Sequence, residues 1–137
     1  MIILDTNVLS EAMRSDSAVL SWLDRQPWTS IWTTSVTVLE IGYGLGIMPS
    51  GRRRSERQAA FERILREKLE GRVLAFDQAA ADEAASLMAS RHRSGIPREL
   101  RDTMIAGIAL AQRATLATRN VRHFDDLDVP VVDPWQG

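Results

Sequence analysis

The sequence predicts an α/β domain built on a central, mostly parallel five-stranded sheet flanked by helices. Three observations carry this. Segments of strand character alternate with helical segments from end to end. The first strand, Ile2-Ile3-Leu4, is apolar at every position, as a strand covered on both faces requires. The 137 residues are enough for one domain that buries its own core without a disulfide or structural metal.

The elements follow in order. The first strand is cut off by Asp5-Thr6-Asn7, a polar triplet suited to cap a short helix over 8–14. Asp16 caps a second helix through Trp22 and Leu23, and Pro27 lies beyond its end. Ser30-Ile31-Trp32-Thr33-Thr34 reads as the second strand. Ser35 caps a helix over 36–47, which Pro49-Ser50-Gly51 breaks. Residues 52–69 suit a long amphipathic helix with Phe61, Leu65 and Leu69 on one face, ended by Gly71. Val73-Leu74-Ala75-Phe76 is the third strand. Asp77 caps an alanine-rich helix running to about Arg93, terminated by Gly95-Ile96-Pro97. The helix over 102–113 buries Met104, Ile105, Ile108 and Ala109. Thr115-Leu116-Ala117-Thr118 is the fourth strand. Val129-Pro130-Val131-Val132 is the fifth, placed at a sheet edge because proline cannot donate to a ladder.

Composition excludes several function classes. The formal net charge is −1, from 17 basic and 18 acidic residues, so nucleic-acid binding by bulk charge is excluded while a local basic face is not. Such a face is present over 52–72, where Arg52, Arg53, Arg54, Arg57, Arg63, Arg66, Lys68 and Arg72 outnumber four glutamates. It reads either as a phosphate-tracking surface or as a solvated helix with i,i+4 pairs such as Glu62 with Arg66. There is no cysteine, hence no disulfide framework, thiolate metal site or cysteine nucleophile. Two histidines, His92 and His123, cannot make an all-histidine metal cage. The opening residues lack the pattern of a signal peptide, and no charge-free stretch is long enough to span a bilayer, so the expected location is the cytoplasm. Trp22, Trp28, Trp32 and Trp135 are core, interface or base-stacking candidates. Gly42, Gly44 and Gly46 weaken their helix and suggest close packing, for instance across a dimer interface.

In a parallel sheet, sites form beyond the carboxyl ends of the strands. The sequence puts Asp5-Thr6-Asn7 after the first strand and Thr118-Arg119-Asn120 at the end of the fourth. Asp5 has two readings, a helix cap or a site acid. Asp102 likewise is either an acid favoured by a helix N-terminus or part of a site. Glu40 lies within a run of large apolar residues, sharing a helix face with Val36 and with Tyr43 or Gly44. Were the three carboxylates to meet, they would repel one another unless a divalent cation sat among them. Oxygen-only ligands favour magnesium or manganese over zinc. The matching chemistry is metal-assisted phosphodiester hydrolysis.

The motifs then resemble those of a known family. Ile3-Leu4-Asp5-Thr6-Asn7-Val8-Leu9, Ser35-Val36-Thr37-Val38-Leu39-Glu40-Ile41, Arg101-Asp102-Thr103-Met104-Ile105-Ala106 and Leu116-Ala117-Thr118-Arg119-Asn120-Val121-Arg122-His123-Phe124 resemble, in order and spacing, the four motifs of PIN-domain nucleases of the VapC and FitB toxin type. The resemblance covers essentially the whole chain, 1–137. It implies that Asp5, Glu40 and Asp102 are the metal-binding catalytic acids. It also implies a magnesium or manganese cofactor and endonucleolytic cleavage of RNA as the toxin of a toxin–antitoxin pair. Thr6, Asn7, Thr118, Asn120 and His123 are further ligand or supporting candidates, and Arg52, Arg53, Arg54 and Arg57 candidate RNA contacts. Expected partners are RNA, a small antitoxin whose tail lies over the acidic cleft, and a second copy of the chain. DNA would be met only through the antitoxin, and no membrane is expected. One departure stands out: where many members carry a fourth acid, this chain has Asn120 and His123, followed by Asp125 and Asp126. Two other readings remain. One is a haloacid-dehalogenase-type phosphatase using Asp5, which would want an aspartate at position 7 and a placed lysine. The other is a binding module with an inert site.

Overall fold

In a computed structural model, which describes residues 1–136, the chain forms β1 (Ile2–Leu4), α1 (Thr6–Met13), α2 (Ser17–Asp24), β2 (Ile31–Thr34), α3 (Ser35–Ile47), α4 (Arg52–Arg63), β3 (Val73–Leu74), α5 (Gln78–Arg93), α6 (Leu100–Gln112), β4 (Thr115–Ala117) and β5 (Val131–Val132). The strands make one sheet in the order β3-β2-β1-β4-β5. Every pairing is parallel. The proline-bearing segment is an edge, as expected, with Pro130 just outside β5.

β1 is the centre of the sheet, and its alternation shows why all three of its residues are apolar. Ile3 and Leu4 are fully buried on opposite faces. Leu4 packs with Val8, Leu9, Leu23, Ile31, Phe61 and Leu69. Ile3 packs with Val36, Ile105, Ile108, Leu116 and Phe124. Each such side chain contributes about 1.5–3 kcal/mol on leaving water. The tightest helix contact is between α5 and α6, where Gly107 lies against Ala80 and Ala84. Trp22 is buried, and Trp28, Trp32 and Trp135 are partly buried against the two core clusters.

Helix starts depart from the sequence-based expectations in a consistent way. α1 begins at Thr6, because Asp5 itself is the cap. α3 is capped by Thr34 rather than Ser35: the Thr34 hydroxyl accepts from the Thr37 amide at 3.1 Å. The Ser35 hydroxyl is spent elsewhere, accepting from the Phe76 amide beyond β3. α6 begins at Leu100, capped by Glu99, which leaves Asp102 in its first turn. The helix from Arg52 turns π-helical over Ile64–Lys68, so its azimuth shifts. Arg66 consequently faces Glu67 at 3.8 Å, and the expected Glu62–Arg66 pair is replaced by Gln58 donating to Glu62. Among the described residues no helix is long and apolar enough to cross a membrane.

Candidate functional site

Asp5 sits at the carboxyl end of the central strand, 3% exposed. Of the two sequence readings of it, the helix cap is met. Its Oδ1 accepts from the Thr6 amide at 2.8 Å, capping α1. Its Oδ2 accepts from the Thr118 hydroxyl at 2.8 Å and from the Asn7 side-chain amide at 3.4 Å. Thr118 is held in turn, accepting from the Asn120 backbone amide. The adjacent parallel pairing of β1 with β4, continued by the Asp5 amide donating to Ala117, is what places Thr118 there.

Glu40 points toward the same end of the sheet. Its Oε1 accepts from the Thr6 hydroxyl at 2.8 Å, and Thr6 also meets the Thr37 hydroxyl at 3.1 Å. Asp102 arrives from the first turn of α6, with its Oδ2 3.5 Å from His123 Nδ1. The side chains of Glu40 and Asp102 are 20% and 24% exposed, so the cluster opens to solvent with Asp5 as its floor. Burial, reinforced by repulsion from Asp102 and Glu40, pushes the Asp5 carboxyl up to about 6 against the pull of Thr118 and Thr6. Burial also raises Asp102, with Glu99 adding to the rise and His123 opposing it. Of the three acids only Asp5 has, among the described residues, no basic side chain beside it: Arg101 lies 4.0 Å from Glu40 and His123 3.5 Å from Asp102. The donors are all oxygen, which suits magnesium or manganese. Among the described residues no three His, Asp or Glu side chains close into a metal-holding group. An ion in this open cluster would keep several water ligands, as magnesium does.

The remaining candidates divide. Asn7 accepts from the Arg119 amide and reaches Asp5, while Asn120 contributes its backbone amide to Thr118. Asp125 and Asp126, the acids following the last motif, turn away: Asp126 pairs with Arg91 at 2.8 Å and Asp125 lies 3.7 Å from Arg98. Of the basic residues, Arg57 lines a cleft shared with Thr6 and Glu40. Arg52 is engaged with Glu56, Arg54 reaches the Met48 carbonyl, and Arg53 lines a separate shallow cavity with Arg57. Lys68 stands over the Trp28 ring, on the amino-end side of the sheet, so it cannot serve an Asp5-centred phosphatase.

Three residues of the site region gave no warning in the sequence. Thr37 is fully buried and links Thr34 to Thr6. Arg101 bridges Glu99 at 3.1 Å and Glu40 at 4.0 Å at the rim. Arg91 is a buried arginine that holds Thr103, the His123 carbonyl and both oxygens of Asp126, fixing the turn that carries His123. In the sequence Arg91 looks like an ordinary base in the last turn of a helix, and only its partners, 12 to 35 residues away, reveal it.

Comparison with known proteins gives the family. The PIN domain family model matches residues 2–130. The chain is 38% identical over 138 residues to VapC ribonuclease Y4jK of Sinorhizobium fredii, covering 99% of each. It is 31% identical over 137 residues to toxin FitB of Neisseria gonorrhoeae, covering 98% of this chain and 99% of that one. Among solved structures it is similar to FitAB bound to an IR36 DNA fragment, with 30% identity, TM-score 0.85, and 98% and 96% of the two chains covered. From its four motifs, its all-parallel sheet and these matches, the chain belongs to the PIN domain family.

Proposed function

We propose that this chain is a magnesium- or manganese-dependent endoribonuclease, acting in the cytoplasm as the toxin of a toxin–antitoxin pair. What supports it is that Thr6, whose amide is capped by Asp5, also holds Glu40, and that Asp102 and Glu40 both act to raise the Asp5 carboxyl. The relatives named ribonuclease and toxin support it.

Asp5, Glu40 and Asp102 would hold the ion. When bound, it supplies charge that offsets their repulsion, acidifies water and polarises a phosphoryl oxygen of RNA. The protein's own groups prepare for this. Thr118 and the α1 amide fix both oxygens of Asp5, and Thr6 fixes Glu40. His123 stands against Asp102, and Asn7 and Asn120 support the Asp5–Thr118 pair. Arg57 and Arg101 at the rim would meet RNA phosphates, with Arg52, Arg53 and Arg54 further along the same basic helix. Asp102→Asn is expected to abolish cleavage of RNA and growth inhibition while leaving the fold intact. Calorimetric titration should show manganese binding to the wild type and its loss in the variant. Retained cleavage by Asp102→Asn would overturn the reading, and a folded wild type that binds no manganese would favour an inert binding module.

The antitoxin has a suitable track. The cleft containing Thr6, Glu40 and Arg57 shares Met13 with an apolar cavity between α1, α2 and α4. A segment laid along it would end at the acids, where a basic side chain would satisfy them. DNA would then be reached through the antitoxin. A second copy of the chain fits α3, whose Leu39, Tyr43 and Ile47 are 60–66% exposed in one stripe beside Gly42 and Gly46. Sedimentation should show a dimer at micromolar concentration, and Tyr43→Glu should dissociate it. A monomeric wild type would refute this face as a dimer interface.

A further inference from the structure

A second cavity, about 420 Å³, lies at the junction of α5 and its loop to α6. Its walls are Met88, His92, Ile96, Pro97, Arg98 and Thr103, together with Arg91. Met88 and Ile96 are nearly half exposed, an unusual placement for large apolar side chains beside three bases. No carboxylate lines it. The two arginines differ. The Arg91 guanidinium is fully engaged and neutralised by Asp126. Arg98 donates once, to the Arg122 carbonyl at 3.2 Å, and lies 3.7 Å from the exposed Asp125. Its Nε is buried with no partner among the described residues, a donor lacking its acceptor.

We propose that this cavity binds a nucleotide of the RNA substrate flanking the cleaved bond, with the base against Met88, Ile96 and Pro97 and its phosphate on Arg98. An occupant that combines a flat body with an anionic group suits both the apolar walls and the positive charge of the Arg98 guanidinium. The volume is that of a small-ligand pocket. Position supports the assignment to the same strand. Thr103, in the wall, follows Asp102 directly in α6, and Arg98 holds the carbonyl of Arg122, whose neighbour His123 faces Asp102. The pocket thus adjoins both the helix turn that carries Asp102 and the turn that carries His123. The proposal rests on the ribonuclease reading and adds a subsite to it.

Ile96→Glu tests it without removing any bond that Arg98 makes. On single-stranded RNA cleaved by the wild type, KM should rise about tenfold and kcat change less than twofold. Adenosine and uridine 5′-monophosphates should shift the amide resonances of Gly95, Ile96 and Arg98 in the wild type, and the shifts should vanish in Ile96→Glu. Arg98→Gln should weaken the monophosphates by a similar factor but leave the free nucleosides unaffected. A wild-type KM in Ile96→Glu, or monophosphates that leave these amides unmoved, would overturn the subsite while the nuclease reading stands. A variant that loses antitoxin binding but keeps RNA affinity would assign the pocket to protein and likewise overturn it. A wild type that cleaves no RNA removes the reading beneath the proposal.

Discussion

Replacing Asp5 with asparagine is expected to make the metal-free protein more stable and the enzyme inactive. The folded carboxyl titrates near 6, against 3.8 for an ordinary aspartate. The sign follows from proton linkage. A group whose folded value is raised holds its proton more tightly when folded. Its contribution is therefore favourable at low pH and is lost as pH rises through the folded value. Below about pH 4 ionisation of Asp5 costs nothing. Between about 4 and 6 the cost grows, and above 6 it is complete, at most about 3 kcal/mol for a shift of this size. Asparagine keeps the cap to the Thr6 amide but can present only one acceptor, so a net gain of about 1–2 kcal/mol at pH 8 is expected, or several degrees in Tm. Thermal melts of both proteins in chelator from pH 4 to 8 would test this. Their curves should coincide or cross at acid pH and separate at alkaline pH. Manganese should raise the Tm of the wild type and not of the variant, because a ligand stabilises only the state that binds it. A variant less stable than the wild type at pH 8 would show that the hydrogen bonds to Asp5 outweigh the burial of its charge.

Gly107→Ala is expected to be the most damaging small substitution in the chain. A Cβ there would stand 2.5 Å from the Ala80 carbonyl oxygen and 2.8 Å from the Ala84 Cβ. Neither neighbour is a flexible side-chain end that could swing aside, so α5 and α6 must separate. Overpacking typically costs about 1–3 kcal/mol, and backbone in the way puts this site at the top of that range or beyond. The gain of up to about 1 kcal/mol in helix propensity offsets only part. The consequence extends to the site, because α6 carries Asp102 and α5 carries Arg91, which fixes the turn bearing His123. Urea denaturation should show a loss of about 2–3 kcal/mol, accompanied by weaker manganese binding. A variant of unchanged stability would mean that the two helices can spread without penalty.

Asp5 and Gly107 mark the two sides of what could be read from the chain. The fold class was legible because it rests on local pattern: an all-apolar first strand, five strand-like runs and helices between them. The candidate acids were legible for a related reason. Asp5 ends a strand abruptly and Glu40 interrupts an apolar helix, so each is a local anomaly, and the motif order supplied the rest. Helix starts were less legible. Thr34 and Ser35 are both good caps by residue type, and the cap falls to Thr34 because the Ser35 hydroxyl accepts from the Phe76 amide; Glu99 is a poor cap by type, yet it accepts from the Asp102 amide.

Partnerships across the sheet were legible only through the motif resemblance, and then only in outline. It named Thr118 as a supporting residue, but not that its hydroxyl donates to Asp5, 113 positions away. Arg91 reads as a solvated base, although it is buried on Asp126. Gly107 reads as a weak spot in a helix, although it is the contact that lets α5 reach α6. By itself the sequence determined which segments become strands and helices, and which acids are out of place among apolar neighbours, since both follow from side-chain chemistry within a few residues. Only the tertiary structure decided which groups share a hydrogen bond, how far Asp5 is lifted from its ordinary titration, and where Arg98 keeps a donor in hand. Those depend on distance through space, and in a parallel sheet neighbouring strands are joined by long crossovers that local pattern does not span.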